Sequence, residues 1–346
     1  MTLPTSLDSP VTVGIVGLGR AGWSLHLEPL SKLAGFQIVA VADPLAERCA
    51  EAAERTGCQE YAALDDLLKN SDARLIVVAT PSSTHYEDVL KVLQAGRHCI
   101  AEKPLALETA QADELVALAK EKGLGLFVNH SHLHLPYFHH FKKVLESGVL
   151  GTLFSIRVCW GNFARRWDWQ TLRKNGGGQL NNTCPHVLSV VLPWLDGTVE
   201  NVFADLRNIK DVGDAEDHVH MVLQTGSGLT ADIVVSGAMA QSGPKWMFFG
   251  DQGSMTSDGN TCTLRYFDRS KVEALSVLDT AAPGRKYLRE ELPWEERTEE
   301  IGPLPVKPFH ENIFDVLTGQ AEPVVTAESA AEVVRVSNLV HAAAAR

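Results

Sequence analysis

Gly17-Leu18-Gly19-Arg20-Ala21-Gly22 follows the apolar run Val11 to Val16, and Asp43 closes a second apolar run, Ile38 to Ala42. Glycines at that spacing, between a strand and a helix, suit the capture of a pyrophosphate. Gly17 permits a tight turn, Gly19 lets the backbone approach the phosphates, and Gly22 lets helix and strand pack closely. The unpaired N–H groups and positive end of the next helix face the same ligand. Asp43 is placed to accept from adenosine ribose hydroxyls, so the pattern predicts a bound dinucleotide. A carboxylate there repels a 2′-phosphate, and Pro44 stands where a serine or arginine could bind one. NAD is therefore favoured over NADP, with Arg48 the nearby residue that complicates the choice.

Other residues could also do chemistry. Glu102-Lys103-Pro104 ends a predicted parallel strand, where such sheets place ligands. Gly176-Gly177-Gly178 precedes Asn182 and His186, which are four apart and would share one side of a helix. Arg165, Arg166, Trp167, Asp168 and Trp169 form a polar and aromatic segment suited to sugars, with flat rings for C–H surfaces and charges for hydroxyls. Plainer readings stay open: a surface lysine, a satisfied core histidine, an asparagine capping a helix that begins near Pro185, and tryptophans packed between sheet and loop. His130, His132 and His134 alternate, with His139 and His140 close behind. If extended, residues 130–134 would put three imidazoles on one face. With no acid or thiolate beside them, cleft lining is favoured and no metal is expected.

The elements that must position these residues alternate through the first part of the chain. Helices are predicted over Leu45 to Arg55, Leu64 to Leu68, Thr84 to Ala95 and Thr109 to Lys122. Between them fall the strands Leu75 to Ala79, Cys99 to Ala101 and Leu124 to Val128. This is α/β architecture, a dinucleotide-binding domain over residues 1–130. Beyond it, an amphipathic segment from Tyr137 to Ser147 precedes period-two runs such as Leu153 to Val158 and His218 to Leu223. These mark an antiparallel or mixed sheet with one polar face, in an α+β domain over residues 131–346. The Pro- and Glu-rich stretch from Ala281 to Pro308 reads as an irregular excursion, and helices near Phe309 to Thr318 and Ala327 to Ala344 close the chain.

Composition fits this reading. A chain of 346 residues exceeds the size at which one core keeps growing. The net charge of −12, from 31 basic and 43 acidic residues, argues against nucleic acid or an anionic membrane as partner. Met1 to Pro10 lacks a basic or long apolar leader, and no later run is long enough to span a bilayer. The six scattered cysteines include no C-x-x-C pair and read as reduced thiols, so a cytoplasmic location is expected.

With Glu102-Lys103-Pro104, the triple glycine and His186, the Ala79-Thr80-Pro81 strand end, His85, Asn129 and the Gly250-Asp251-Gln252-Gly253 turn, the chain resembles the Gfo/Idh/MocA family. These are the glucose–fructose oxidoreductase and inositol dehydrogenase-like enzymes. The resemblance implies a Rossmann domain followed by a domain with a large, mostly antiparallel open sheet. It implies that Lys103 and His186 are catalytic, with Thr80, Pro81, His85, Glu102, Lys103 and Asn129 beside the cofactor. Asn182 departs from the aspartate usual in the family; it can orient the histidine ring but brings no charge, which lowers the expected histidine pKa. Neutral His186 would be the base for a secondary alcohol, and the Lys103 ammonium would stabilise the developing alkoxide. Arg165, Trp167, Trp169, Asn182 and His186 would bind a sugar, polyol or glycoside. A homo-oligomer, dimer or tetramer, is implied as well. Two alternatives stay open: a non-catalytic dinucleotide-dependent regulator, and an NAD-dependent glycosidase working through transient oxidation.

Overall fold

The structure, a computed structural model, describes residues 10–280, 283–285, 287–303 and 306–345. Residues 1–9 of the Met1 to Pro10 segment lie outside it. Six strands form a parallel sheet: β1 (Val11–Val16), β2 (Phe36–Ala42), β3 (Gln59–Tyr61), β4 (Leu75–Val78), β5 (His98–Ala101) and β6 (Leu126–Val128). Their order is β3-β2-β1-β4-β5-β6. Both β4 and β5 are buried at every position, and β4 throughout and β5 after His98 are apolar, as helices covering both faces require. Helices α2 (Ala46–Thr56), α3 (Leu64–Asn70), α4 (His85–Gln94) and α5 (Thr109–Lys122) make the crossovers. The helix after the glycine turn has π-helical turns over Ala21–Leu27 before one α-turn, α1 (Glu28–Leu30). Pro29 supplies no N–H to the ladder there. The order reverses between β1 and β4, and ligands of such sheets bind outside the carboxyl ends at that crevice. Gly17, Thr80, Lys103 and Asn129 all follow the strands that end there.

The second sheet has eight strands: β7 (Leu153–Gly161), β8 (Val199–Arg207), β9 (His218–Thr225), β10 (Thr230–Ser236), β11 (Trp246–Gly250), β12 (Gly253–Ser257), β13 (Thr261–Tyr266) and β14 (Glu295–Glu300). They run in the order β14-β13-β12-β11-β7-β10-β9-β8, antiparallel except where β10 lies beside β7. Its inner positions, among them Ile156, Val158, Met221 and Ile233, are buried with residues of α6 (Pro136–Glu146) and α8 (Cys184–Val191). The short α7 (Gln179–Asn182) precedes α8, while α9 (Phe309–Leu317) and α10 (Ala327–Ala344) return to the parallel sheet. Phe309, Ile313 and Leu317 join its core beside Val13 and Ile15. Along α10, Ala330 and Val334 face that first domain while Val333 and Val336 face the second.

The stretch from Ala281 to Pro308 is not wholly irregular. Glu295–Glu300 pairs with β13 as an edge strand, with Arg297 opposite Leu264. Its sequence, Glu-Glu-Arg-Thr-Glu-Glu, has no apolar alternation because neither face is fully buried. Residues 281, 282, 286, 304 and 305 of that stretch lie outside the described residues.

At Gly22 a Cβ would stand 1.8 Å from the Gly17 carbonyl oxygen, and Gly17 itself has φ +85°. Gly22→Ala is therefore expected to lower the melting temperature by more than about 5 °C. Gly19→Ala, which meets nothing within 4 Å, is expected to melt like the wild type.

Candidate active site

The glycine turn is braced from within. Asp43, buried at the end of β2, accepts from Leu18 N–H at 2.7 Å and from Leu45 N–H at 2.9 Å. Each carboxylate oxygen keeps a second lone pair for a ribose hydroxyl. The Arg48 guanidinium lies 3.5 Å from Asp43. The open space over Gly19 is what a phosphate-bearing group needs, so these residues fit a dinucleotide.

Lys103 leaves β5 beside a cis Lys103–Pro104 peptide, and its Nζ donates to the Asn182 carbonyl oxygen at 2.6 Å. The expectation of one helix carrying Asn182 and His186 fails. The ladder breaks at Thr183, between α7 and α8, because Pro185 offers no N–H. His186 N–H turns to the Thr183 carbonyl, which leaves the Asn182 carbonyl free for Lys103. Asn182 also does not cap α8; its Nδ2 donates to the Gln170 carbonyl instead. Asn182 Oδ1 and His186 Nδ1 are both buried without a partner among the described residues, one turn apart.

Charge follows from burial. The Lys103 ammonium is pushed below its ordinary value by burial, with Glu102 opposing and the Arg20 and Arg166 guanidiniums adding to the shift. His186 is held well below its ordinary value, first by burial and then by Lys103, His132 and His130. Burial likewise takes His130 and His132 down to about 4. The site therefore holds neutral imidazoles at neutral pH, around a Lys103 whose hold on its proton is weakened.

Residues 130–134 are not extended. Ser131–His134 is a 3₁₀ turn, so the three rings diverge. His130 lies toward Lys103, His132 packs on His186, and His134 Nδ1 meets the Lys307 carbonyl. His139 meets the Leu133 carbonyl and His140 lies 3.3 Å from Glu299. Among the described residues no group of three or more metal-ligating side chains could hold an ion.

Several residues expected beside the cofactor serve as braces. Glu102 Oε1 takes His26 Nε2 at 2.9 Å and Asn129 Nδ2 at 2.7 Å, and His26 Nδ1 faces His310 Nε2 at 3.1 Å. This buried chain ties β5, β6, the first helix and α9 together behind Lys103. The His85 ring nitrogens lie against the Pro104 and Thr80 carbonyls, so none is free for a ligand. Thr80 donates to Asp88, and Pro81 is exposed.

Trp167 is 80% exposed and Arg165 is exposed, and neither makes a hydrogen bond or ion pair among the described residues. Trp169, 40% exposed, begins a short 3₁₀ turn. Arg166 is the residue of that segment that reaches inward. It is held by Asp168 and Gln170 and lines a cavity of about 260 Å³ with Trp160, Asn162, Gln179 and Thr183. The alternation of exposed and inward residues in an irregular segment left no period by which sequence could separate Arg166 from Arg165.

The glycine cradle, the sheet order and the cleft where two domains meet over Lys103 define a Rossmann-type dinucleotide-binding protein. The chain belongs to the Gfo/Idh/MocA oxidoreductases. Residues 11–130 match the oxidoreductase family with an NAD-binding Rossmann fold, and residues 138–256 match the GFO/IDH/MocA C-terminal domain. It is 29% identical over 226 residues, 65% of this chain and 68% of the relative, to dTDP-3,4-didehydro-2,6-dideoxy-alpha-D-glucose 3-reductase of Actinomadura kijaniata. It is 25% identical, over 74% of this chain and 72% of the relative, to the scyllo-inositol 2-dehydrogenase (NADP(+)) of Bacillus subtilis (strain 168). Among solved structures, an NAD-binding protein from Listeria innocua superposes with a TM-score of 0.81 at 23% identity, covering 97% of this chain and 95% of that one. The chain is thus an NAD(P)-binding oxidoreductase. Among the described residues no helix is long and apolar enough to cross a membrane.

The buried histidines set an acid limit on stability. His98, His130 and His132 are lowered to about 4 and His310 to about 3, from 6.5. Below 6.5 the unfolded chain takes up protons the folded chain refuses. Stability is therefore complete above that value and lost as pH falls toward 4. The melting temperature at pH 5 is expected to lie more than about 5 °C below that at pH 7.5; a flat profile between them would contradict these assignments.

Proposed function

We propose that the protein moves a hydride between NAD and a secondary alcohol carbon of a sugar, polyol or glycoside. The observation that carries this reading is the contact of Lys103 Nζ with the Asn182 carbonyl, which fixes an ammonium beside the neutral ring of His186. The bound nicotinamide supplies the hydride acceptor. His186, uncharged at neutral pH, takes the proton that leaves the hydroxyl. Lys103 donates a hydrogen bond to the same oxygen as negative charge develops on it. Family members that act on a deoxy-sugar nucleotide and on an inositol support a carbohydrate-like substrate.

NAD is the cofactor this reading prefers, because the buried Asp43 carboxylate faces the ribose position and repels a 2′-phosphate. The exposed outer face of the second sheet, where Phe203 is 56% exposed, supports assembly with further copies of the chain.

Lys103→Ala is expected to cut turnover about a hundred- to a thousandfold, with the dissociation constant for NAD nearly unchanged, as read by steady-state kinetics and nucleotide titration. Asp43→Asn retains a side-chain acceptor but removes the charge. Direct titration of both nucleotides should find the NAD-over-NADP preference reduced about tenfold or more; an unchanged preference would count against Asp43 as the selector.

A further inference from the structure

His132 stands on the turn between β6 and α6, and its Nδ1 lies 2.7 Å from the Tyr137 hydroxyl. Burial pushes the Tyr137 phenol up, so that hydroxyl keeps its proton. His132 is its hydrogen-bond partner among the described residues, and the direction that pairs the phenol proton has the O–H donating and Nδ1 accepting. A neutral imidazole carries one N–H, and with Nδ1 accepting, the proton sits on Nε2. Nε2 has no protein partner among the described residues and is not sealed from solvent.

The ring stands 4.6 Å from that of His186, tilted by 57°, and 5.1 Å from that of Trp160. Trp160 in turn lines the cavity of about 260 Å³ together with Gln179 and Thr183. A donor that is not sealed from solvent therefore stands one ring away from an imidazole with an unpaired nitrogen. Rings packed so closely reach two oxygens about one hydrogen-bond length apart, the separation of neighbouring hydroxyls in a gauche diol.

We propose that His132 is a specificity-determining residue: its Nε2–H donates to an oxygen on the carbon next to the one that reacts. The site then selects vicinal diols, and α-hydroxy ketones in the reverse direction, over isolated alcohols. An isolated alcohol leaves the N–H unpaired once water is expelled, and unpaired donors carry strong discrimination. Tyr137 acts through His132 and is a positioning residue. The proposal rests on the reading of His186 as the group that takes the alcohol proton.

Nitrogen NMR of the full chain with labelled histidines reads the tautomer without any substrate. The expected result is His132 as the Nε2–H form, and a mixture of tautomers in Tyr137→Phe, which keeps the ring packing on Phe141 and Trp246. A wild-type ring protonated on Nδ1, or a tautomer indifferent to Tyr137→Phe, overturns the proposal. The second arm compares NAD reduction with a vicinal cyclohexanediol and with cyclohexanol. His132→Asn is expected to lower the diol-to-alcohol ratio of kcat/KM at least about tenfold, and an equal loss on both overturns the proposal. A chain that oxidises neither alcohol counts against the proposed secondary-alcohol reaction, while the tautomer still decides for or against His132.

Discussion

A single hydrogen bond, from the Lys103 ammonium to the Asn182 carbonyl, joins the end of a strand in one domain to a broken helix in the other. Both sides of it are made locally. The strand end places Lys103 at the crevice where the parallel sheet reverses its order. Pro185 interrupts the helix ladder, and the His186 N–H turns to the Thr183 carbonyl, which leaves the Asn182 carbonyl free. An unsatisfied buried ammonium would be costly, so the two domains must close over this contact for Lys103 to be stable where it is.

The surroundings of that contact are kept almost free of mobile charge. The Glu102 carboxylate, next to Lys103 in sequence, is turned away and occupied by His26 and Asn129. Its pull on the ammonium is thereby shared, and burial together with Arg20 and Arg166 draws Lys103 toward giving up its proton. The imidazoles of His130, His132 and His186 all stay neutral for the same reason, desolvation. With Asn182 in place of a carboxylate, the pull of Glu102, the smallest of the influences on His186, leaves that burial dominant. The pocket thus offers donors and acceptors in place of opposite charges, a lining suited to hydroxyl-rich ligands.

Where a local pattern has a period, the sequence revealed the structure. The buried parallel strands, the crossover helices and the glycine turn were legible because burial on two faces and backbone clearance at Gly17 and Gly22 leave direct marks on residue type, whereas the short, exposed strand Gln59–Tyr61 was not. The edge strand Glu295–Glu300 was not, since a strand exposed at a sheet's rim needs no apolar alternation. The helix break at Thr183 was foreshadowed by Pro185, yet the i, i+4 spacing of Asn182 and His186 suggested a continuous helix. Lys103 and His186 were singled out by their places after a strand and after the triple glycine, and their catalytic roles are what the family resemblance implies. Arg166, His26 and His310 were not assigned to the site, because their partners are 2 to 284 residues away and no spacing announces them. His85 and Glu102 carried the right residue types for ligand contact, and the structure uses their polar atoms to hold backbone and core together.

The most direct test is an NMR titration of Lys103 and His186 in the wild-type chain, each assigned by its own substitution. The buried pair described above should hold the His186 midpoint well below the ordinary 6.5 and let Lys103 lose its proton below the ordinary 10.5. An imidazole titrating near 6.5 together with an ammonium titrating at 10.5 would mean both groups face bulk water, and the proposed site would not exist.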